Sequence, residues 1–316
     1  MLIKKQSYNA SLELGPVSRY RNLAAAPVCA ARSMFEEPVR MLDEVLSDEE
    51  LSKRFSIEGV EVNAMRVKNK LEDKVLIVGG ATIEREGGQK RYATFPCLVM
   101  PDSKINLPVN CAEVGEPSIR GRYNGNTAIV SPDLRAGVVE QGDAWDRINN
   151  TTVILRRMNP TRFCQSGEYD TGSYIDNIDK KANVEDYVEA IGKEPIADQI
   201  GIVAGIRCKD KKGRDRTIYY TDFFGNHEIL EKVYAKLAKC FRIVALANQG
   251  NEAEDIDEDK LSGFLRRYAA AECKETPHVG GGKLYLFEKD VSGSMLRYQE
   301  KPVQVTMRET ALARQN

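Results

Sequence analysis

Histidine is nearly absent from this sequence, with two residues in 316, His227 and His278. A histidine-rich zinc centre or a Ser-His-Asp triad would have to use one of them, and neither stands in a recognisable motif. No DxD- or ExxE-like grouping of carboxylates is persuasive, so no metal site is assigned. The seven cysteines contain no C-x-x-C pair, and their odd count suits reduced thiols better than a disulfide framework. No uninterrupted apolar run approaches the length of a membrane span, and the N-terminal MLIKKQSYNASLELG lacks the apolar core of a signal peptide. A cytoplasmic protein is expected. Charge of one sign is also missing: 46 Lys and Arg against 47 Asp and Glu leave a net charge of −1, so nothing global attracts nucleic acid or an anionic membrane.

What is there, 42% hydrophobic and 29% charged residues, suffices for a sizeable core in one large domain or two intimate ones. The most informative stretch runs from Arg91 to Glu113. Phe95, Cys97 and Val99 share one face of a strand, Ile105, Leu107 and Val109 share one face of the next, and Pro101-Asp102-Ser103 has a turn composition. Read as one hairpin with a three-residue loop, the register sets Val99 against Ile105, Pro96 against Pro108, Ala93 against Cys111 and Arg91 against Glu113. Alternation then puts Gln89, Arg91, Cys111 and Glu113 on the face that is buried further along. Two readings follow: a cross-strand Arg91–Glu113 ion pair that closes the sheet, or a site in which Arg91 holds an anion and Glu113 acts as a base or hydrogen-bond acceptor. Cys111 reads as a small buried hydrophobe, since no histidine lies near it in sequence.

Upstream, the pattern predicts helical turns over Pro38 to Leu46, an N-cap at Ser47-Asp48 and strands over Gly59 to Val67 and Lys74 to Val78. Downstream, a short helix over Asp143 to Asn149 brings Gln141 and Trp145 close to one face; the tryptophan serves as an anchor in the seam between two halves or as a stacking surface. The polar stretch from Asn159 to Val184 is a surface excursion or a cover for a site. Strands are predicted over Gln199 to Cys208 and Thr217 to Phe224, a helix over His227 to Leu246, a solvated acidic linker over Asn248 to Asp259, and a helix over Leu261 to Cys273. Strands then follow over Lys283 to Glu288 and Arg297 to Val305. Asp222 falls at a strand exit just ahead of a helix start, where it caps or binds. Gly280-Gly281-Gly282 precedes a strand, and Gly282-Lys283 is followed by Leu284, so it is not a phosphate loop. The sum is an α+β protein with mainly antiparallel sheets, a β-rich half over 1–150 packed on an αβ half over 151–316.

The run VLIVGGATIEREGGQKRYATFPCLVMPDSKINLPVNCAEVG resembles the core of an uncharacterised bacterial and archaeal family named for its association with ADP-ribosylglycohydrolases and with rhodanese and phosphatase proteins. The matching features are Gly80, the acids Glu84 and Glu86, Gln89-Lys90-Arg91, and Val109-Asn110-Cys111-Ala112-Glu113. Arg135, Gln141 and Trp145 match a second segment, and Gln199 to Leu237 a third. Here Glu113 is followed by Val114-Gly115-Glu116, where the family has Gly-Arg-Trp. The resemblance implies a protein acting near NAD or ADP-ribose metabolism, without a demonstrated activity.

Three function classes follow. The first is a binder or enzyme of NAD-derived nucleotides such as ADP-ribose, with Glu113 as base or ribose acceptor, Arg91 as phosphate holder, and Gln89, Cys111, Arg135, Gln141, Trp145 and Asp222 contributing. The second is a non-catalytic interaction or oligomerisation module, suggested by the lack of any catalytic dyad assembled from sequence spacing. The third, nucleic-acid binding through Arg120, Arg122 and Arg135, is weakest, because Tyr123 alone supplies an aromatic nearby.

Overall fold

Strand alternation is realised in three sheets of a computed structural model, which describes residues 12–83, 90–112, 122–123, 128–137, 139–158, 185–210, 212–248 and 250–310. The chain begins with β1 (Leu12–Leu14), β2 (Ser18–Tyr20), β3 (Leu23–Ala30) and β4 (Val39–Met41), followed by α1 (Leu42–Ser47) and α2 (Glu49–Arg54). The helical turns expected from Pro38 begin only at Leu42, because Val39 to Met41 enter a sheet instead. The N-cap behaves as read: the Asp48 carboxylate accepts the backbone N–H groups of Glu50 and Leu51, both at 2.9 Å.

Next come β5 (Phe55–Glu61), β6 (Ala64–Asn69), β7 (Lys74–Ile77), β8 (Thr82–Ile83), β9 (Arg91–Ala93), β10 (Cys97–Val99), β11 (Ser103–Cys111) and β12 (Arg122–Tyr123). The single strand expected over Gly59 to Val67 is a hairpin: β5 and β6 pair around Val62-Asn63, with Gly59 opposite Met65. The hairpin expected over Arg91 to Glu113 is also corrected. β9 does pair with β11, but with Ala93 opposite Val109 and Arg91 opposite Cys111. β10 leaves at Thr94 to Pro96 and pairs with β7, Cys97 lying opposite Ile77, while Pro108 lies opposite Ala64 of β6. Pro96 has no N–H for a β11 ladder, and it packs instead against Gly79, where a Cβ would approach its ring to 2.9 Å. The slip is two residues, so side chains keep their faces and Arg91 and Cys111 remain co-facial.

The remaining elements are α3 (Pro132–Arg135), α4 (Gln141–Met158), a 3₁₀ turn at Glu185–Glu189, β13 (Gln199–Lys209), β14 (Asp215–Phe224), α5 (His227–Ala247), α6 (Glu258–Ala270), β15 (Cys273–Thr276), β16 (Lys283–Phe287), β17 (Val291–Tyr298) and β18 (Lys301–Glu309). α4 extends well past the predicted Asn149, and α6 stops before Cys273, which starts a strand. The one strand expected over Arg297 to Val305 is two, joined by Gln299 (φ 49°) and Glu300 (φ 62°). Both turn residues have positive φ, the requirement of a tight two-residue hairpin, without the Asn-Gly pair that announces it. The stretch read as a solvated linker buries Ala253 and Ile256.

Nine strands form the largest sheet, in the order β1-β3-β13-β14-β18-β17-β16-β15, with β2 also on β3. The others are β10-β7-β4 and β12-β5-β6-β11-β9-β8. Pairing is antiparallel except for β4 with β7. Ile202, Ala204 and Ile206 of β13 join α5 in the main core, whereas Val203 joins α6 and Phe264 in a second core on the opposite face. Every residue of α5 from Cys240 to Ala247 is buried, as expected of a helix enclosed on all sides. Its exposed stretch is tied to α1 by Lys232–Glu44 at 2.8 Å and by Lys236–Asp43.

Candidate functional site

β11 loses β6 as a partner after Asn63, whose carbonyl accepts the Val109 N–H at 3.0 Å. Gln141, at the first turn of α4, takes over. Its Oε1 accepts the Cys111 backbone N–H at 2.7 Å, and its Nε2 donates to the Cys111 carbonyl at 3.3 Å. The side-chain amide thus replaces a strand neighbour and satisfies backbone groups that burial would otherwise penalise. On one face of β9 and β11, Asn110 Nδ2 donates to Tyr92 Oη at 3.2 Å and to the Val139 carbonyl at 2.9 Å. Burial pushes the Tyr92 phenol up to about 12.

Arg91 and Cys111 occupy the other face, and both are 0% exposed. The Arg91 guanidinium reaches the β5–β6 turn, where Nη1 donates to the Glu61 carbonyl at 2.5 Å. Its Nε and Nη2 are buried and have no hydrogen-bond partner. Guanidinium stays charged under any ordinary condition, so two donors of a cation are left unmatched inside the protein. Gln89 and Glu113, the other members of the expected cluster, lie outside the described residues, as do Glu84, Glu86 and Arg120. The expected Arg91–Glu113 register is replaced by Arg91 opposite Cys111.

Arg135 and Asp222, proposed from opposite halves of the sequence, meet in the interior. Arg135 Nη2 donates to Asp222 Oδ2 at 2.9 Å, Nη1 pairs with Oδ1, and Nε donates to the Val130 carbonyl at 2.9 Å. Thr306 Oγ1 donates to Asp222 Oδ1 at 2.5 Å and accepts from Arg135 Nη1 at 3.1 Å. This forked geometry is the strongest form of ion pair, and it removes Asp222 from capping: Asn226 caps α5 through Ile229 N–H at 2.8 Å. Arg135 is 2% exposed, which removes it from any nucleic-acid surface. Gly80 (φ +83°) lies directly against the Arg135 stem, leaving no room for a side chain.

The polar seam continues along the sheet. Tyr220 Oη donates to Asp133 Oδ1 at 3.1 Å, and Arg308 Nε stands 3.0 Å from that oxygen without its N–H directed at it. Burial first, and then the Asp133 charge, raise the Tyr220 phenol well above its ordinary range. Gln304 accepts the Gly79 N–H at 3.0 Å. Sequence reasoning passed over Thr306 and Gln304, although they alternate with Val303, Val305 and Met307. Period two assigns such a polar face to water, and here α3 covers it. Trp145 is half-buried against the main core, its indole N–H buried without a partner.

Elsewhere, burial pushes the thiols of Cys97 and Cys240 up to about 12, so neither is a thiolate near neutrality. The same cause lowers the His278 imidazole to about 4. Among the described residues no helix is long and apolar enough to cross a membrane. No curated protein and no solved structure shows significant similarity to the chain. The ARG and Rhodanese-Phosphatase-superfamily-associated Protein domain, by contrast, matches residues 11–308, spanning the β9–β11 end, the Arg135–Asp222 pair and the whole large sheet. The chain is a member of that family.

Proposed function

We infer that the chain binds an NAD-derived nucleotide such as ADP-ribose, and that Arg91 holds a phosphate oxygen of it. The observation that carries this reading is the Arg91 side chain, which is charged, enclosed, and supplied with one carbonyl for its five N–H donors. A pyrophosphate would supply the missing acceptors in the planar, forked geometry a guanidinium favours. The family description adds an association with ADP-ribosylglycohydrolase proteins. Glu113, two residues beyond Cys111, is the acceptor for a ribose hydroxyl or the base of a hydrolytic step in this reading. Gln141 acts through the backbone of Cys111, by fixing the end of the strand.

Thermal-shift titration with NAD, ADP-ribose, cyclic ADP-ribose and nicotinamide mononucleotide tests the reading. A ligand of the folded state present at 100 times its Kd stabilises by about 2.7 kcal/mol, a readily measured rise in Tm. The rise should vanish in Arg91→Met, shrink in Arg91→Lys, and leave the circular dichroism of both variants native. Turnover abolished by Glu113→Gln would establish an enzyme. No shift with any of the four would overturn the nucleotide reading and leave an interaction or oligomerisation module.

A further inference from the structure

The large sheet does not fill its main-core face everywhere. β3 contributes only Ala25 and Pro27 there, opposite Ala204 and Ile202 of β13. A cavity of about 290 Å³ lies over these small residues, between the sheet, Tyr234 of α5 and residues 188–196. That covering segment is tied at both ends and does not settle onto the sheet. Arg242 of α5 donates through Nη2 to the Ile191 and Gly192 carbonyls at 2.6 and 2.8 Å, while Ala190 and Ile191 donate to the Tyr187 carbonyl, each at 3.2 Å. At the far end, buried Gln199 accepts the Ile196 N–H at 2.9 Å and donates to the Gly201 carbonyl at 2.8 Å. The Tyr234 hydroxyl lies beneath Gly192, where a Cβ would stand 3.9 Å from it, and burial raises this phenol so that it stays neutral. Glu189 and Glu194 line the cavity from exposed positions, beside Ile196, a large apolar residue 45% exposed. The described residues that line it include no Lys or Arg; Lys193 is exposed outside it.

We propose that this cavity binds a small organic cation with a two-ring aromatic body, an arylalkylamine, its rings against Ala25 and Ile202 and its ammonium group at Glu189 and Glu194. An apolar enclosure with a few convergent polar groups is the usual form of a small-molecule site. Size sets the body: a cavity of about 150 Å³ accepts benzene, and this one has about twice that space. The Tyr234 hydroxyl, both donor and acceptor, suits a ring N–H or hydroxyl. Charge sets the sign, because two carboxylates at the mouth attract a cation and repel a phosphate or carboxylate. The cavity therefore differs from the Arg91 site in the ligand it favours, and it shares no lining residue with it.

Titration of the full chain, labelled with carbon-13 at its isoleucine methyls, tests the proposal by nuclear magnetic resonance. The probes are tryptamine and indole-3-acetate, which share a ring system and carry opposite charges. Tryptamine should shift the Ile191 and Ile202 methyls saturably at one equivalent, with nuclear Overhauser contacts from those methyls to the indole protons. This measurement on the wild type does not depend on how any variant folds. Indole-3-acetate should bind about tenfold more weakly or worse, and Glu189→Gln and Glu194→Gln, both at exposed positions, should each weaken tryptamine about two- to fivefold, the worth of an exposed ion pair. Ala25→Val, which takes space from the cavity floor, should weaken both compounds. Shifts confined to other methyls, no saturable shift at millimolar tryptamine, or equal affinity for the two compounds would each overturn it.

Discussion

Among the described residues the two most deeply enclosed arginines, Arg91 and Arg135, are treated in opposite ways. Arg135 has a forked carboxylate, a carbonyl and a hydroxyl around it; Arg91 has one carbonyl. Removing a guanidinium from water costs several kcal/mol, a cost that close carboxylate geometry can offset and a single neutral acceptor cannot. The Arg135 arrangement joins α3 to β14 and β18 and needs nothing more. The Arg91 arrangement, at the end of β9 and beside the last residues of β11, is incomplete as a structural device, and that is why it stands as the candidate site.

The comparison breaks most visibly at Asp222. Asp222→Ala leaves Arg135 buried without its counter-charge and should cost about 3–5 kcal/mol in urea unfolding. A loss below about 1 kcal/mol would mean that Arg135 is not held by that charge. For Arg91 the expected effect is far smaller. Arg91→Met removes two unmatched donors together with one hydrogen bond, so ligand-free stability should stay within about 1 kcal/mol of wild type, in either direction. A loss as large as that at Asp222 would make Arg91 a structural residue and remove its claim to a ligand. The smallest effect belongs to a third arginine, on the surface. Arg207, followed by Lys260, holds the Asp255 carboxyl down to about 2. A carboxylate with a lowered folded pKa adds stability above its unfolded value near 3.9 and loses it as pH falls from there through about 2. Because Asp255 is 52% exposed, solvent screens the pair. Arg207→Ala should flatten that acid limb by slightly lowering stability at neutral pH, while leaving stability unchanged at the acid end, where Asp255 is protonated in both states.

Periodicity made much of the fold legible. The β13–β14 hairpin around Gly213, the long helix after Gly225-Asn226 and the Asp48 cap all follow from local chemistry, and they formed where the pattern placed them. Turn geometry was harder to read. Val62-Asn63 and Gln299-Glu300 lack a strong turn signature, so each hairpin read as a single strand. The Arg91–Cys111 face survived a two-residue slip because side-chain direction depends on parity alone, while the partner across the ladder did not.

By itself the sequence determined the antiparallel α+β character, the family, and the presence of Arg91 and Cys111 on one face, since each depends on neighbours along the chain. Only the tertiary structure decided that Arg135 meets Asp222 and that Gln141 replaces a strand beside Cys111. Those meetings join residues far apart in sequence, and they are selected by which packing leaves the fewest polar groups unsatisfied. No local spacing records that choice.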